Sequence, residues 1–345
     1  MNRRTALSAI ATLAASACLI KKKSAGQKIY VTNEGSGDLS IIDAASLTVL
    51  STLPLGKRPR GIQVSPDKRN LYIALSGSPF AGPDVDESKL PPPDRSADGI
   101  GVIDVATQKL DRMLRAGTDP EQLAVSFDGK QVYIANEDAA VLSVLDAATG
   151  SVVASIKVGD EPEGVAVRPD GRYVYVTSEA DGSVYAIDAQ THVVAKRIEV
   201  GHRPRSIVFQ KDGSRAFVSL ERDAAVAIID SITHSPAGTI VLGAALPVTK
   251  ETIKPMGLRL ASNEGELYVT TGWNGNVFVI DPVSSRITAS IPVGGRPWGI
   301  AANADSTRLY TANGPTNDVS VVDVASRKVI EKVRVGDRPW GVAVV

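Results

Sequence analysis

Short apolar runs alternate with polar turns along the chain, and no stretch sustains the spacing of an amphipathic helix. Between residues 120 and 160 the runs are Leu123 to Val125, Val132 to Ala135, Leu142 to Leu145 and Val152 to Val158. Each has the length and alternation of a strand. Segments such as Pro169-Asp170-Gly171 and Asp181-Gly182 supply the turns between runs. The pattern predicts a four-stranded antiparallel meander.

The meander repeats. A Gly-x-x-Pro signal places its proline at Pro59, Pro120, Pro162, Pro204, Pro255, Pro297 and Pro339, at intervals of 42 residues that lengthen to 61 and 51 where the chain carries insertions. An aspartate ends an apolar run at Asp43, Asp104, Asp146, Asp188, Asp230, Asp281 and Asp323, always 13 residues before a glycine. An aromatic residue opens the second run, at Tyr30, Tyr72, Tyr133, Tyr175, Phe217, Tyr268 and Tyr310. A four-strand unit of this length is a propeller blade, so the seven units predict an all-β, seven-bladed β-propeller over residues 27–345. Lys28 to Thr32 reads as a second strand and Gly341 to Val345 as a first strand. Three N-terminal strands and one C-terminal strand are therefore expected to share one blade and close the ring.

Residues 1–23 break the pattern. Arg3-Arg4 precede an apolar stretch, Ala6 to Ala17, that is too short to span a bilayer and reads as a secretory leader. Ala15 and Ala17 form a cleavage signal just before Cys18, the one cysteine, where a lipid anchor would also attach. The domain is thus expected to be exported, in a bacterial periplasm or lipid-anchored at the cell envelope, with no membrane contact except through Cys18. Its 38 basic and 38 acidic residues balance without a basic block, which argues against a nucleic-acid partner. One cysteine and three histidines rule out an intramolecular disulfide, covalent haem attachment and an ordinary zinc site. No metal and no cofactor is expected.

Tyr30-Val31-Thr32-Asn33 and its repeats resemble the YVTN-repeat β-propeller family over residues 27–345. Gly56-Lys57-Arg58-Pro59-Arg60-Gly61, Asp119-Pro120-Glu121, Asn136-Glu137-Asp138, Glu161-Pro162-Glu163-Gly164, Arg203-Pro204-Arg205 and Arg338-Pro339-Trp340-Gly341 run in an order similar to the subgroup of propellers associated with PQQ-dependent catabolism. That resemblance implies an exported protein working near periplasmic quinoprotein alcohol oxidation, with a quinoprotein dehydrogenase, a cytochrome or a transport component as its protein partner. It implies no catalytic residue. The insertion in the second repeat departs from the compact family pattern.

Strand direction alternates within a blade, so the loop leading into the first strand and the loop from second to third strand share a face. Both insertions, Ser76 to Asp98 and Gly243 to Pro255, fall on it. The residues before each proline are Arg58, Asp119, Glu161, Arg203, Lys254, Arg296 and Arg338; those after it are Arg60, Glu121, Glu163, Arg205, Met256, Trp298 and Trp340. They are expected to ring the mouth of the central channel, with Glu34, Glu137, Glu179 and Glu221 beside them. One reading has these charges pairing across neighbouring blades and binding nothing. The other has Arg58, Arg60, Arg203 and Arg205 holding carboxylates of an anionic aromatic ligand or a protein partner, with Trp298, Trp340 and Trp273 supplying flat surface. Glu121 and Glu163 belong to the same candidate site, and as acid and base they would serve an alternative function, a hydrolase of the lactonase kind. No nucleophile-and-base pair stands out, and His202 is the only histidine on that face. A structural cell-surface repeat protein is a third reading. The acidic insertion with Asp84-x-Asp86, interrupted by Lys89 and Arg95, reads as a solvated Pro-rich flap rather than a Ca²⁺ loop. The function carried forward is that of a non-catalytic binding or accessory propeller.

Overall fold

The computed structural model describes residues 26–80, 89–115, 117–243 and 252–345. The expected leader, Cys18, and the acidic residues Asp84, Asp86 and Glu87 lie outside the described residues. The strands form seven four-stranded antiparallel sheets arranged as a seven-bladed propeller. Blade 1 is built from β28 (Pro339–Val344), β1 (Lys28–Asn33), β2 (Asp38–Asp43) and β3 (Val49–Pro54), ordered from the channel outward. Blades 2 to 7 begin at the channel with β4 (Pro59–Val64), β8 (Pro120–Val125), β12 (Pro162–Val167), β16 (Pro204–Phe209), β20 (Leu258–Leu260) and β24 (Pro297–Ala302). No helix among the described residues is long and apolar enough to cross a membrane.

The apolar alternation packs blade against blade. All seven repeat aromatics are buried, and each apolar cluster joins neighbouring blades, as where Tyr30, Leu39 and Ile41 of blade 1 meet Ile62, Leu71 and Ile73 of blade 2. The recurring aspartate is a turn device. Asp43 Oδ1 accepts from the Ala45 and Ser46 N–H groups at 3.0 and 2.7 Å, and Leu47 follows in the left-handed region at φ 56°. The arrangement recurs after Asp146, Asp188, Asp230 and Asp281, so this residue fixes the turn between the third and fourth strands of a blade.

The first strands begin earlier than their apolar runs. β8 starts at Pro120 rather than Leu123, and β28 at Pro339 rather than Gly341. The ladder shifts register between Pro120 and Leu123, a bulge that breaks the alternation and admits a charged residue, Glu121, into the strand.

A hydroxyl links successive inner strands. Thr177 Oγ1 accepts from the Gly164 N–H of its own blade at 2.7 Å and donates to the Arg205 carbonyl of the next at 2.8 Å. Thr32 does the same between Gly341 and Arg60, Ser219 between Ser206 and Met256, and Thr270 between Gly257 and Trp298. A side chain at Gly164 would run into the Arg205 carbonyl, so glycine there permits the close approach. These latches hold the backbone of Arg60, Arg205, Met256 and Trp298, four of the residues that ring the mouth.

Candidate functional site

Arg58, Asp119, Glu161, Arg203, Arg296 and Arg338, each just before a proline, all adopt left-handed backbone, with φ from 41° to 58°. The recurrence makes this a feature of the repeat rather than strain at one site. It turns the chain sharply into the inner strand, so that the residues before and after the proline reach the same partners: Arg58 and Arg60 both approach Glu34, at 3.0 and 3.5 Å.

In blade order the residues after the proline read Trp340, Arg60, Glu121, Glu163, Arg205, Met256 and Trp298. All but Met256 join in an open circuit that runs from Glu121 through the two tryptophans to Glu163. Arg60 lies 5.5 Å from the Trp340 ring and pairs with the fully buried Glu121. Across the mouth, Arg205 pairs with Glu163 at 3.3 Å and lies 5.4 Å from the Trp298 ring. Trp298 and Trp340 stack with centroids 5.7 Å apart. Around this circuit, Arg203 binds Glu179 at 2.6 Å and Glu221 at 3.2 Å, while Arg205 also pairs with Glu179 and holds Glu221 at 2.8 Å. Arg58 adds the carbonyls of Ser78 and Pro79 at 3.1 and 3.3 Å, so the insertion is stitched to the rim.

Arg58, Arg60, Arg203 and Arg205 are thus engaged with the protein's own carboxylates. The free cations of the mouth stand elsewhere. Arg296 has no ion pair among the described residues and sits 4.9 Å from the Trp273 ring and 4.7 Å from the Trp298 ring. Arg338 likewise has none and stacks at 3.8 Å on Phe80, from the insertion. Sequence alone placed Trp298, Trp340, Arg296 and Arg338 on this rim but gave no sign of Phe80, because the fold of an insertion cannot be read from the repeat.

Burial sets the protonation of the blade 4 and 5 cluster. It pushes Glu179 up to about 8 and raises Glu163, against the opposing pull of Arg205 on both. Burial also opposes the charge on Arg205, but Glu179, Glu163 and Glu221 outweigh it and hold the guanidinium firmly protonated. For Glu221, burial is overcome by Arg205 and Arg203, which hold it below its usual range. On the opposite side, ligand atoms of Asp119, Glu121 and Glu137 lie within 4.8 Å of one another, the one described group of this kind that could hold a metal ion. Arg60 pairs with Glu121 and stands 3.9 Å from Glu137, and Arg58 stands 4.0 Å from Asp119, so guanidinium groups already supply positive charge there.

Inside the ring the inner strands enclose a channel cavity of about 390 Å³, within the range of small-molecule pockets. Trp298, Trp340, Glu163 and Arg205 line it near the mouth, and Gln63, Gln122 and Arg259 line it further in. With seven radial meanders, inter-blade cores and this axial cavity, the architecture is settled. The chain is a seven-bladed β-propeller. Residues 85–171 of this propeller match the model of the YNCE-like beta-propeller family. No curated protein sequence matches it. Among solved structures, this propeller is similar to hydrazine synthase of Kuenenia stuttgartiensis, at 19% identity and a TM-score of 0.69, over 83% of this chain and 95% of that one. It is also similar to a functionally unknown protein of Desulfotomaculum acetoxidans, at 15% identity and a TM-score of 0.72 over 93% and 99% of the two chains. A proposed 6-phosphogluconolactonase of Bacteroides fragilis aligns at 16% identity with a TM-score of 0.71, over 94% and 99%. At such identities the likeness shows the fold of this propeller alone.

Proposed function

We propose that this propeller is an exported, non-catalytic binding or accessory protein of periplasmic quinoprotein alcohol oxidation. Its partner docks a flat anionic group, borne by a protein or a small ligand, on the rim formed by Arg296, Arg338, Trp273 and Phe80. The carrying observation is that Arg296 and Arg338 lie over aromatic faces with no ion pair among the described residues, whereas the other four mouth arginines are engaged by internal carboxyl groups. A guanidinium backed by an aromatic ring presents its donors outward and is suited to bidentate capture of a carboxylate. The leader-like N-terminus supports export, and the ordered run of mouth motifs supports the quinoprotein setting.

Affinity capture from the native host's periplasmic extract tests this reading, with the propeller beside an Arg296→Glu/Arg338→Glu variant. A quinoprotein dehydrogenase, cytochrome or transport component should be recovered by the unaltered bait and lost, by tenfold or more, with the variant. Equal recovery by both baits would remove the rim from consideration.

A second reading, a hydrolase of the lactonase kind, is favoured by the close carboxylates of Asp119, Glu121 and Glu137 and by the likeness in fold to a proposed lactonase. It requires that Glu121 act while paired with Arg60. Lactone hydrolysis that Glu121→Gln reduces at least a hundredfold would establish it, and absence of turnover across a lactone panel would dismiss it.

A further inference from the structure

The channel carries a cation that the mouth does not explain. Arg259 sits on β20, the innermost strand of blade 6, and lines the axial cavity. It is exposed near the end of its strand, and part of it lines the cavity. No ion pair or side-chain hydrogen bond holds it among the described residues, and burial lowers its pKa with no neighbouring carboxylate acting against that. The equivalent positions of the other inner strands carry Gln63, Ala124, Ala166, Val208, Ala301 and Ala343, so one charge stands in an otherwise neutral tier.

Trp340 provides an independent observation. It lines the same cavity, is only 4% exposed, and its buried indole N–H has no acceptor among the described residues. Arg259 thus brings an unpaired cation to the cavity, and beside it the Trp340 N–H is a buried donor without an acceptor, a group that is destabilising until something complements it. Gln63 and Gln122 add side-chain amides to the lining, while the stacked Trp298 and Trp340 form a flat wall. Glu163, the acidic group of the lining, is tied to Arg205.

We propose that the channel lumen is a binding site for a small organic carboxylate with a flat body, its carboxylate on Arg259 and its ring against the Trp298–Trp340 wall. The site is separate from the rim proposed above and does not rest on it. An anion there pairs the arginine, and the ring fills apolar space.

Titration of the whole protein with pyridine-2,6-dicarboxylate, followed by tryptophan fluorescence and calorimetry, tests the site. Saturable one-to-one binding is expected, weakened at least tenfold by Arg259→Gln. No saturable binding by the unaltered protein would overturn the proposal, as would equal affinity in Arg259→Gln. Loss of binding in Arg338→Gln but not in Arg259→Gln would assign the probe to the rim and overturn the lumen site while leaving the rim standing.

Discussion

Deleting residues 339–345 is expected to destroy the cooperative fold rather than trim it. β28 supplies the innermost strand of blade 1 and pairs with β1 through Ile29–Val344, Tyr30–Ala343 and Val31–Val342, with Lys28 and Val345 exchanging backbone hydrogen bonds at 2.9 and 3.0 Å. Trp340, Val342 and Ala343 are all buried, the last two in separate inter-blade clusters on either side of the blade. The deletion removes that burial, bares one edge of β1 and takes one ring from the stacked tryptophan pair. Loss of these side chains and ladder bonds is on the order of 5–10 kcal/mol, comparable to the whole net stability of a typical domain. Thermal unfolding should lose its single sharp transition, and the product should aggregate on concentration. A circular permutant that joins Val345 to Lys28 through a short turn and opens the chain between Asp67 and Lys68, an exposed hairpin, keeps every strand and should retain the midpoint of the parent. If the truncated chain melts like the parent, β28 is not the closure.

Most of this architecture was legible because a propeller repeats its physics. The aspartate and aromatic signals each do one job in every blade, a turn and a core position, so seven copies fixed blade count and closure. Strand starts were less legible, since the bulge after each proline interrupts the alternation on which a strand is recognised. The mouth was half legible. Periodicity placed Arg58, Arg60, Glu121, Glu163, Arg203, Arg205, Trp298 and Trp340 on one ring, but which arginine meets which carboxylate depends on distances of a few ångströms between blades that no spacing encodes. Arg259 and the threonine latch were missed, although the one charge in its tier of the aligned inner strands and the hydroxyl of the Tyr-Val-Thr-Asn motif carried the signal. Phe80 was not visible at all, because it belongs to a segment outside the repeat.

Arg205→Met should be the most damaging single substitution at the mouth, with a loss that depends on pH. The guanidinium, 7% exposed, meets Glu163, Glu179 and Glu221, and Arg203 can replace it only at the last two. Removing one partner from a buried ionic cluster leaves charge without compensation, at a cost of about 3–5 kcal/mol. In the parent protein, burial already raises Glu163 and Glu179, so the folded state binds more protons than the unfolded state between the ordinary carboxyl range and about 8. Stability contributed by these protons is present in acid and declines as pH rises through that window. Without Arg205 both carboxyls should titrate higher still, and Glu221 should lose the strongest attraction that now holds its pKa down. Arg205→Met should therefore lie closer to the parent near pH 4, where Glu163 and Glu179 are mostly protonated in the folded state, and fall progressively below it toward pH 8. Adding Glu163→Gln and Glu179→Gln to Arg205→Met should recover much of the loss at pH 8, since neutral amides do not require a counter-ion. Urea unfolding of the parent, Arg205→Met and the triple variant at several pH values reads both effects. A deficit that stays constant with pH would mean that Arg205 acts by packing on Trp298, and that its charge is not what holds this side of the ring together.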